Sequence, residues 1–284
     1  MSVLSAQAPA KINLYLRVTG KTPENYHLLD SLVVFANIYD VIEISPAAAI
    51  SVTVTGENAA LVSPSDNTVL KAATALQSHF GIKTGAQILL QKNLPVGAGI
   101  GGGSSDAAAA LKLLIRLWKI DISEHDLDSI ALSIGADVPA CLRATAVYMS
   151  SIGEIIDKAP KLPKLHMVLV GTGRPLLTKD VFARYKEKFV PPVVPPRAFT
   201  FEMDLLDFLY RNGNDLQRPA IELMPEIEDV LAALTAEEGC LLARMSGSGA
   251  TCFGLFEKRK FAEEAAIKLS DRHPKWWVKV AQYE

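Results

Sequence analysis

Residues 95–105 read Pro-Val-Gly-Ala-Gly-Ile-Gly-Gly-Gly-Ser-Ser. A strand-like run, Ile88 to Gln91, precedes them, and Leu111, Leu114, Ile115 and Trp118 follow at helical spacing. The order is strand, glycine loop, helix start. Without a Cβ, the backbone at Gly97, Gly99, Gly101, Gly102 and Gly103 can turn sharply and lie close to a ligand. Ser104 or Ser105 can cap the helix, whose first amides carry a partial positive charge. Together these features suit a polyphosphate. The plain alternative is a flexible linker, which leaves the flanking strand and the helix cap unexplained.

Three other places carry residues suited to chemistry. From Lys11 to Thr19 the chain alternates, with Ile12, Leu14, Leu16 and Val18 on one face and Lys11, Asn13, Tyr15 and Arg17 on the other. Lys11 and Asn13 therefore lie side by side on one surface of a strand, where a solvent-facing lysine is the plain alternative. Asp137 sits among Ile134, Ala136, Val138 and Leu142, directly after a helix that closes at Gly135. Burying its carboxylate there is costly without a cationic partner; a helix cap before Pro139 is the alternative. Tyr26 and His27 follow the polar loop from Lys21 to Asn25, and an aromatic ring beside an imidazole can grip a base or a phosphate. His27 reads equally as a core or capping histidine.

The glycine loop is not one of the commonest phosphate loops. No lysine follows it in the G-x-x-x-x-G-K-[ST] order. Gly97, Gly99 and Gly102 match G-x-G-x-x-G, but Ile120-Asp121-Ile122-Ser123 leads into another helix, not the second strand of a dinucleotide fold. The H-R-D and D-F-G motifs of protein kinases are absent.

Pro9-Ala10-Lys11-Ile12-Asn13-Leu14, the stretch from Pro95 to Ser105, and Met245-Ser246-Gly247-Ser248-Gly249-Ala250 occur in that order across nearly the whole chain. They resemble the three motifs of the GHMP small-molecule kinases. Within that superfamily, Tyr26-His27, Gly101-Gly102-Gly103-Ser104-Ser105-Asp106 and Gly135-Ala136-Asp137-Val138-Pro139 resemble one branch. That branch phosphorylates an alcohol carrying a cytidine diphosphate group in the non-mevalonate isoprenoid pathway.

The resemblance implies an α+β fold in two domains: a nucleotide-binding domain over 1–158 and a ferredoxin-like α/β sandwich over 159–284. It implies ATP and Mg2+, with Ser105 reaching the ion. It makes Lys11 and Asp137 the catalytic residues. ATP contacts fall to Asn67, Lys92, Pro95, Gly97, Gly99, Gly101, Gly102, Gly103, Ser104 and Ser105. Substrate contacts fall to Asn13, Tyr26, His27 and Phe182, with Phe182 opposite Tyr26 across the cytosine. Gly247, Ser248 and Gly249 form a third glycine loop folded against the phosphate loop from the other domain. Asn67 also reads as a helix cap and Lys92 as a surface lysine. The chain departs from the family at Asn25, where glycine is usual; asparagine also tolerates positive φ. It departs again at Arg174-Pro175-Leu176-Leu177-Thr178, which leaves plain packing open for Phe182. Two other readings stand beside the first: a kinase of homoserine, mevalonate or galactose, and a nucleotide-binding module without catalysis.

The elements that must position these residues follow from pattern. Ser31 to Phe35, Asp40 to Ser45 and Ile50 to Thr55 read as strands. Asn67 opens a helix that ends before Gly81, and Ser123 opens another. Strands are expected at Ala146 to Met149 and Leu165 to Gly171, and the pattern lapses between Gly153 and Pro163. Leu176 to Tyr185 reads as a helix, Pro191 to Pro196 as an extended connector, and Asn214-Asp215-Leu216 as a structural turn. A helix from Pro225, strands Leu241 to Met245 and Thr251 to Phe256, a helix from Phe261 and a strand near Val278 complete an α+β layer. With 49% apolar residues and a net charge of −2, nothing in the composition asks for nucleic acid or a lipid surface. Three separated cysteines read as reduced thiols, and five histidines without i, i+4 pairing argue against zinc. With no signal pattern and no apolar run of ~18 residues, the expectation is a cytoplasmic protein, a monomer or weak homodimer.

Overall fold

The computed structural model describes residues 3–63 and 67–283. In chain order the elements are β1 (Leu4–Lys21), β2 (His27–Ala47), β3 (Ser51–Thr55), α1 (Thr68–Phe80), β4 (Gly85–Gln91), α2 (Gly102–Trp118), α3 (Glu124–Ile134) and α4 (Val138–Arg143). Then come β5 (Val147–Ser151), β6 (Ile155–Lys158), β7 (His166–Gly171), α5 (Thr178–Arg184), α6 (Glu202–Arg211), α7 (Gln217–Leu223), α8 (Glu226–Thr235), β8 (Cys240–Met245), β9 (Cys252–Phe256), α9 (Arg259–Arg272) and β10 (Trp277–Gln282). They fall into two compact units that share the chain discontinuously. One takes Met1–Lys11, Ile38–Val96 and Gly101–Ala144; the other takes Ile12–Asn37, Gly97–Ile100 and Thr145–Glu284.

In the first unit, the second half of β2 pairs antiparallel with β4, from Val41 opposite Gln91 to Ala47 opposite Gly85, and β3 pairs parallel with β4. Asn67 caps α1 by accepting the Val69 amide at 2.8 Å, worth about 1 kcal/mol. Gly81, at φ 63°, ends the helix in the left-handed conformation that glycine takes without a Cβ penalty. The alanine run Ala107–Ala110 of α2 is buried, as are Val69, Ala72, Ala73 and Leu76 of α1. Small side chains let α2 sit close against both α1 and α4. Ser123 caps α3 by accepting the Asp126 amide.

The second unit contains a four-stranded antiparallel sheet in the order β10-β7-β9-β8. Helices α8 and α9 cover one face, burying Val230, Leu234, Ala262 and Leu269 against Val168, Val170, Cys252 and Phe256. Helices in the β7–β8 and β9–β10 connections make this the expected ferredoxin-like sandwich. The first half of β2 pairs with β5, and β5 with β6.

Two strands differ from the sequence reading. Ser31–Phe35 and Asp40–Ser45 are parts of one long strand, β2. The polar Asn37 between them does not interrupt it, because its side chain accepts the Gln282 amide of β10 at 2.8 Å. Strand β6 lies where the pattern lapses; a tight turn with Ser151 at φ 61° and Gly153 at φ 116° folds it back on β5.

Candidate active site

Within the first unit, Lys11 and Asp137 meet. Lys11 Nζ lies 3.0 Å from Asp137 Oδ1. Lys11 is buried although it lies on the polar face of β1, so that face is not a solvent face. Asn13 and Tyr15 are buried there too, at 1% and 0% exposure. Asp137 stands at the N-cap position of α4, yet its side chain makes no capping hydrogen bond. Its side chain keeps 36% of its surface exposed, against 4% for that of Lys11. The pair is therefore a buried ammonium holding a carboxylate that remains open on one side.

Gly101 is tied to this pair. It starts α2 at φ 61°, and a Cβ there would lie 2.9 Å from Lys11 Cβ and 3.0 Å from Lys11 Cε. Glycine supplies both the left-handed turn and the room for the lysine. Gly101, Gly102 and Ser104 are partly exposed and Gly103 is exposed, so the start of α2 is open to a ligand. Its amides have no intrahelical acceptors, which suits an anion.

Several expected roles change. Neither Ser104 nor Ser105 caps α2; Gly101 occupies that position, and both serines lie inside the first helical turns. Ser105 is 2% exposed, and its hydroxyl donates to the Pro9 carbonyl at 2.6 Å with Cys141 Sγ 3.3 Å away. A hydroxyl so engaged is not directed at a metal ion. Lys92 is not a surface lysine. It is 3% exposed, and its ammonium donates to Asp40 at 2.5 Å and to Asp106 at 2.7 Å. Burial alone would lower its pKa, but Asp106 and Asp40 outweigh that and hold it above the usual lysine value. Gly102 faces this cluster, since a Cβ there would lie 3.1 Å from Lys92 Nζ. Asn67 has two parts: Oδ1 caps α1, while its buried Nδ2 has no partner among the described residues. Pro95 is partly exposed in the loop before α2.

The other candidates belong to the second unit. Gly97 and Gly99 turn at φ 66° and 74°. Gly99 packs backbone to backbone on the third glycine loop: its Cβ would lie 2.5 Å from the Gly249 carbonyl oxygen, and that of Gly247 would lie 2.9 Å from the Gly99 oxygen. The Thr251 amide donates to the Ala98 carbonyl at 3.0 Å. Gly247, Ser248 and Gly249 are all buried, and Ser248 Oγ is 2.8 Å from Thr178 Oγ1. This loop supports the segment around Gly99 and is not itself open to solvent. It is more than a hairpin turn, and it meets Gly97–Ile100 inside one unit, not from the opposite domain. Asn214, in the turn expected to be structural, holds the loop by donating to the Met245 and Gly247 carbonyls.

Asn13 donates from Nδ2 to Ser31 Oγ at 2.7 Å, and its backbone amide donates to Ser246 Oγ. Asn25 adopts φ 72°, so asparagine preserves the turn where glycine is usual. Tyr26 is 65% exposed. Phe182 does not stand alone opposite it: the ring stacks on His27, with centroids 4.9 Å apart and planes 26° apart. No base fits between those two rings. Tyr185 packs edge-on against His27 at 5.9 Å. Burial, with Lys21 nearby, lowers the His27 pKa and disfavours the charged imidazolium. The sequence reading missed Asp40, Asp106, Ser246 and Thr178. Of these Asp106 and Ser246 lie within the quoted motifs, which gave them no role of their own.

The description GHMP kinases N terminal domain matches residues 67–145, and GHMP kinases C terminal matches 203–275. The chain is 49% identical over 285 residues to the 4-diphosphocytidyl-2-C-methyl-D-erythritol kinase of Paramagnetospirillum magneticum, covering 99% of both chains. It is 44% identical over 278 residues to the enzyme of that name from Rhodospirillum rubrum, covering 98% of this chain and 91% of the other. A crystal structure of 4-(cytidine 5'-diphospho)-2C-methyl-D-erythritol kinase superposes with a TM-score of 0.79 at 29% identity, over 99% of this chain and 100% of that one. A homoserine kinase from Cytophaga hutchinsonii shares the fold, with a TM-score of 0.71 at 18% identity over 100% of this chain and 95% of the other. The chain belongs to the 4-diphosphocytidyl-2-C-methyl-D-erythritol kinase family of the GHMP kinases.

Proposed function

We propose that this kinase transfers the γ-phosphoryl group of MgATP to the 2-hydroxyl of 4-diphosphocytidyl-2-C-methyl-D-erythritol, a step in the non-mevalonate route to isoprenoid precursors. The observation that carries the catalytic assignment is the Lys11–Asp137 pair, with its open carboxylate and buried ammonium. Phosphoryl transfer asks mainly for positioning and charge stabilisation. Asp137 takes the proton from the acceptor hydroxyl as the oxygen–phosphorus bond forms and ADP leaves. Lys11 orients that carboxylate and steadies charge on the attacking oxygen.

The residues fit ATP. The start of α2 offers free amides beside glycines that leave the backbone open, and Asn67 Nδ2 is a buried donor without a partner among the described residues. They do not fit a resident magnesium ion. Among the described residues no group of three or more His, Cys, Asp or Glu could hold a metal, and Ser105 is engaged by Pro9. Magnesium enters as part of the substrate, MgATP, where phosphate oxygens and water hold it. Tyr26, His27 and Phe182 are assigned to the cytidyl end of the acceptor, with Tyr26 supplying the exposed ring. We place the enzyme in the cytoplasm as a monomer or weak homodimer. Its three cysteines are unpaired, and among the described residues no helix is long and apolar enough to cross a membrane. The test is ADP release with a panel of alcohols. Turnover with the cytidyl alcohol, and little with homoserine, mevalonate or galactose, is expected. Preference for one of the latter overturns the substrate assignment, and no turnover with any of them favours a binding module.

A further inference from the structure

Lys92, Asp40 and Asp106 come from three places that meet in the first unit. Asp40 lies on β2, Lys92 follows β4, and Asp106 lies in α2. All three are buried, at 3%, 0% and 2% exposure. Asp40 does more than pair with Lys92. Its Oδ1 accepts the amides of Asn93 at 2.6 Å and Leu94 at 2.8 Å, the last residues before the glycine loop. Asn93 in turn donates from Nδ2 to the Tyr39 carbonyl at 3.0 Å. On the far side of the loop, Asp106 is held through Lys92, and Gly102 packs over the same ammonium. One ammonium thus joins the segment entering the loop to the helix leaving it.

The charges in this cluster do not balance when both carboxylates are ionised, and burying the surplus charge is costly. Asp40 accepts three donors, two backbone amides and Lys92. Among the described residues Asp106 accepts from Lys92 alone, and its buried Oδ1 has no partner there. Burial pushes the Asp106 carboxyl up to about 7; Lys92 pulls it down and Asp40 pushes it further up. Burial raises the pKa of the Cys141 thiol of α4, and the Asp106 carboxylate also acts on that thiol, raising it further.

We propose that Lys92, Asp40 and Asp106 are positioning residues for ATP: together they clamp the end of β4 to the start of α2 and fix the amides that receive the phosphates. The clamp rests on reading the start of α2 as the ATP site. In this role the three side chains act through the backbone they hold, Asp40 through the Asn93 and Leu94 amides and Asp106 through Lys92.

The test measures ATP affinity by calorimetry, alongside kcat and both KM values, for wild type, Asp106→Ala and Asp106→Asn, with melting curves on each. Asp106→Ala should weaken ATP binding roughly tenfold, equivalent to about 1.4 kcal/mol. Asp106→Asn keeps an acceptor for Lys92 and should recover part of that loss. The KM for the cytidyl alcohol and kcat at saturating ATP should stay within about twofold, because the interaction lost is one of binding. Folded variants that bind ATP as tightly as wild type overturn the clamp. So does an equal loss in kcat and both KM values, the mark of general damage. A wild-type protein that fails to bind ATP overturns the ATP reading of the loop, and the clamp with it.

Discussion

The first unit holds two ion-pair sites of opposite character. In one, Lys11 is buried but Asp137 keeps about a third of its side chain exposed. In the other, Lys92, Asp40 and Asp106 are all closed off. An exposed carboxylate with a fixed ammonium behind it can exchange a proton with a substrate. A closed cluster suits a supporting role, and a buried ion pair is weak evidence for net stability. The two sites sit under adjacent glycines, Gly101 against Lys11 and Gly102 against Lys92. One glycine loop is thereby connected to one site fit for chemistry and one fit for support.

The largest expected effect falls on the open pair. Lys11→Ala should lower kcat by about 10²–10⁴-fold, the range of general acid–base help. Combined with Asp137→Asn it should cost less than the product of the two single losses, because the two act as a unit. Fully multiplicative losses would mean the residues act separately.

The closed cluster should show itself in the pH dependence of stability. Asp106 has its pKa raised to about 7 in the folded protein, above the 3.8 of a free side chain. Between those values the folded chain keeps a proton that the unfolded chain has released. Asp106 therefore stabilises most below pH ~4, and its contribution is lost as pH rises towards ~7. Wild-type stability relative to Asp106→Asn should fall as pH rises across that window. Urea unfolding of both proteins at several pH values measures it, and a constant difference would show that Asp106 stays ionised throughout.

The two glycines separate the sites further. Gly102→Ala should destabilise by about 1–3 kcal/mol, because Lys92 is held by two carboxylates and cannot give way. Gly101→Ala adds the left-handed backbone cost of about 1–2 kcal/mol and displaces Lys11, so it should also depress kcat. Denaturation and kinetics on both variants decide this; a Gly101→Ala enzyme with normal kcat would uncouple the glycine from the open pair.

Tyr26 serves as the control outside both sites. If its exposed ring stacks on cytosine, Tyr26→Ala loses about 1–3 kcal/mol and raises the KM for the cytidyl alcohol roughly 5- to 150-fold. The KM for ATP should not move. Equal shifts in both KM values would place Tyr26 elsewhere.

The difference between the two sites also marks what could be read from sequence. Local patterns reveal local facts: Asn67 and Gly81 bound α1, Ser123 opens α3, and alternation locates β1. The Lys11 and Asp137 candidates came from the motif resemblance and lie in contact. The partners of Lys92 were not legible, since they stand 52 and 14 residues away and only the fold brings them together. The same reason hid the engagement of Ser105 by Pro9 and the stacking of Phe182 on His27. A lysine in sequence looks alike whether it faces water or two buried carboxylates.

The central claim is that the open carboxylate is the base. The direct measurement is kcat of Asp137→Asn with the cytidyl alcohol, on protein whose ATP affinity is measured in parallel. Asparagine keeps the shape and removes the base, so kcat should fall by about 10²–10⁴-fold while ATP binds as in wild type. A near-normal kcat would contradict the account and leave Asp137 a partner of Lys11 with no part in the chemistry.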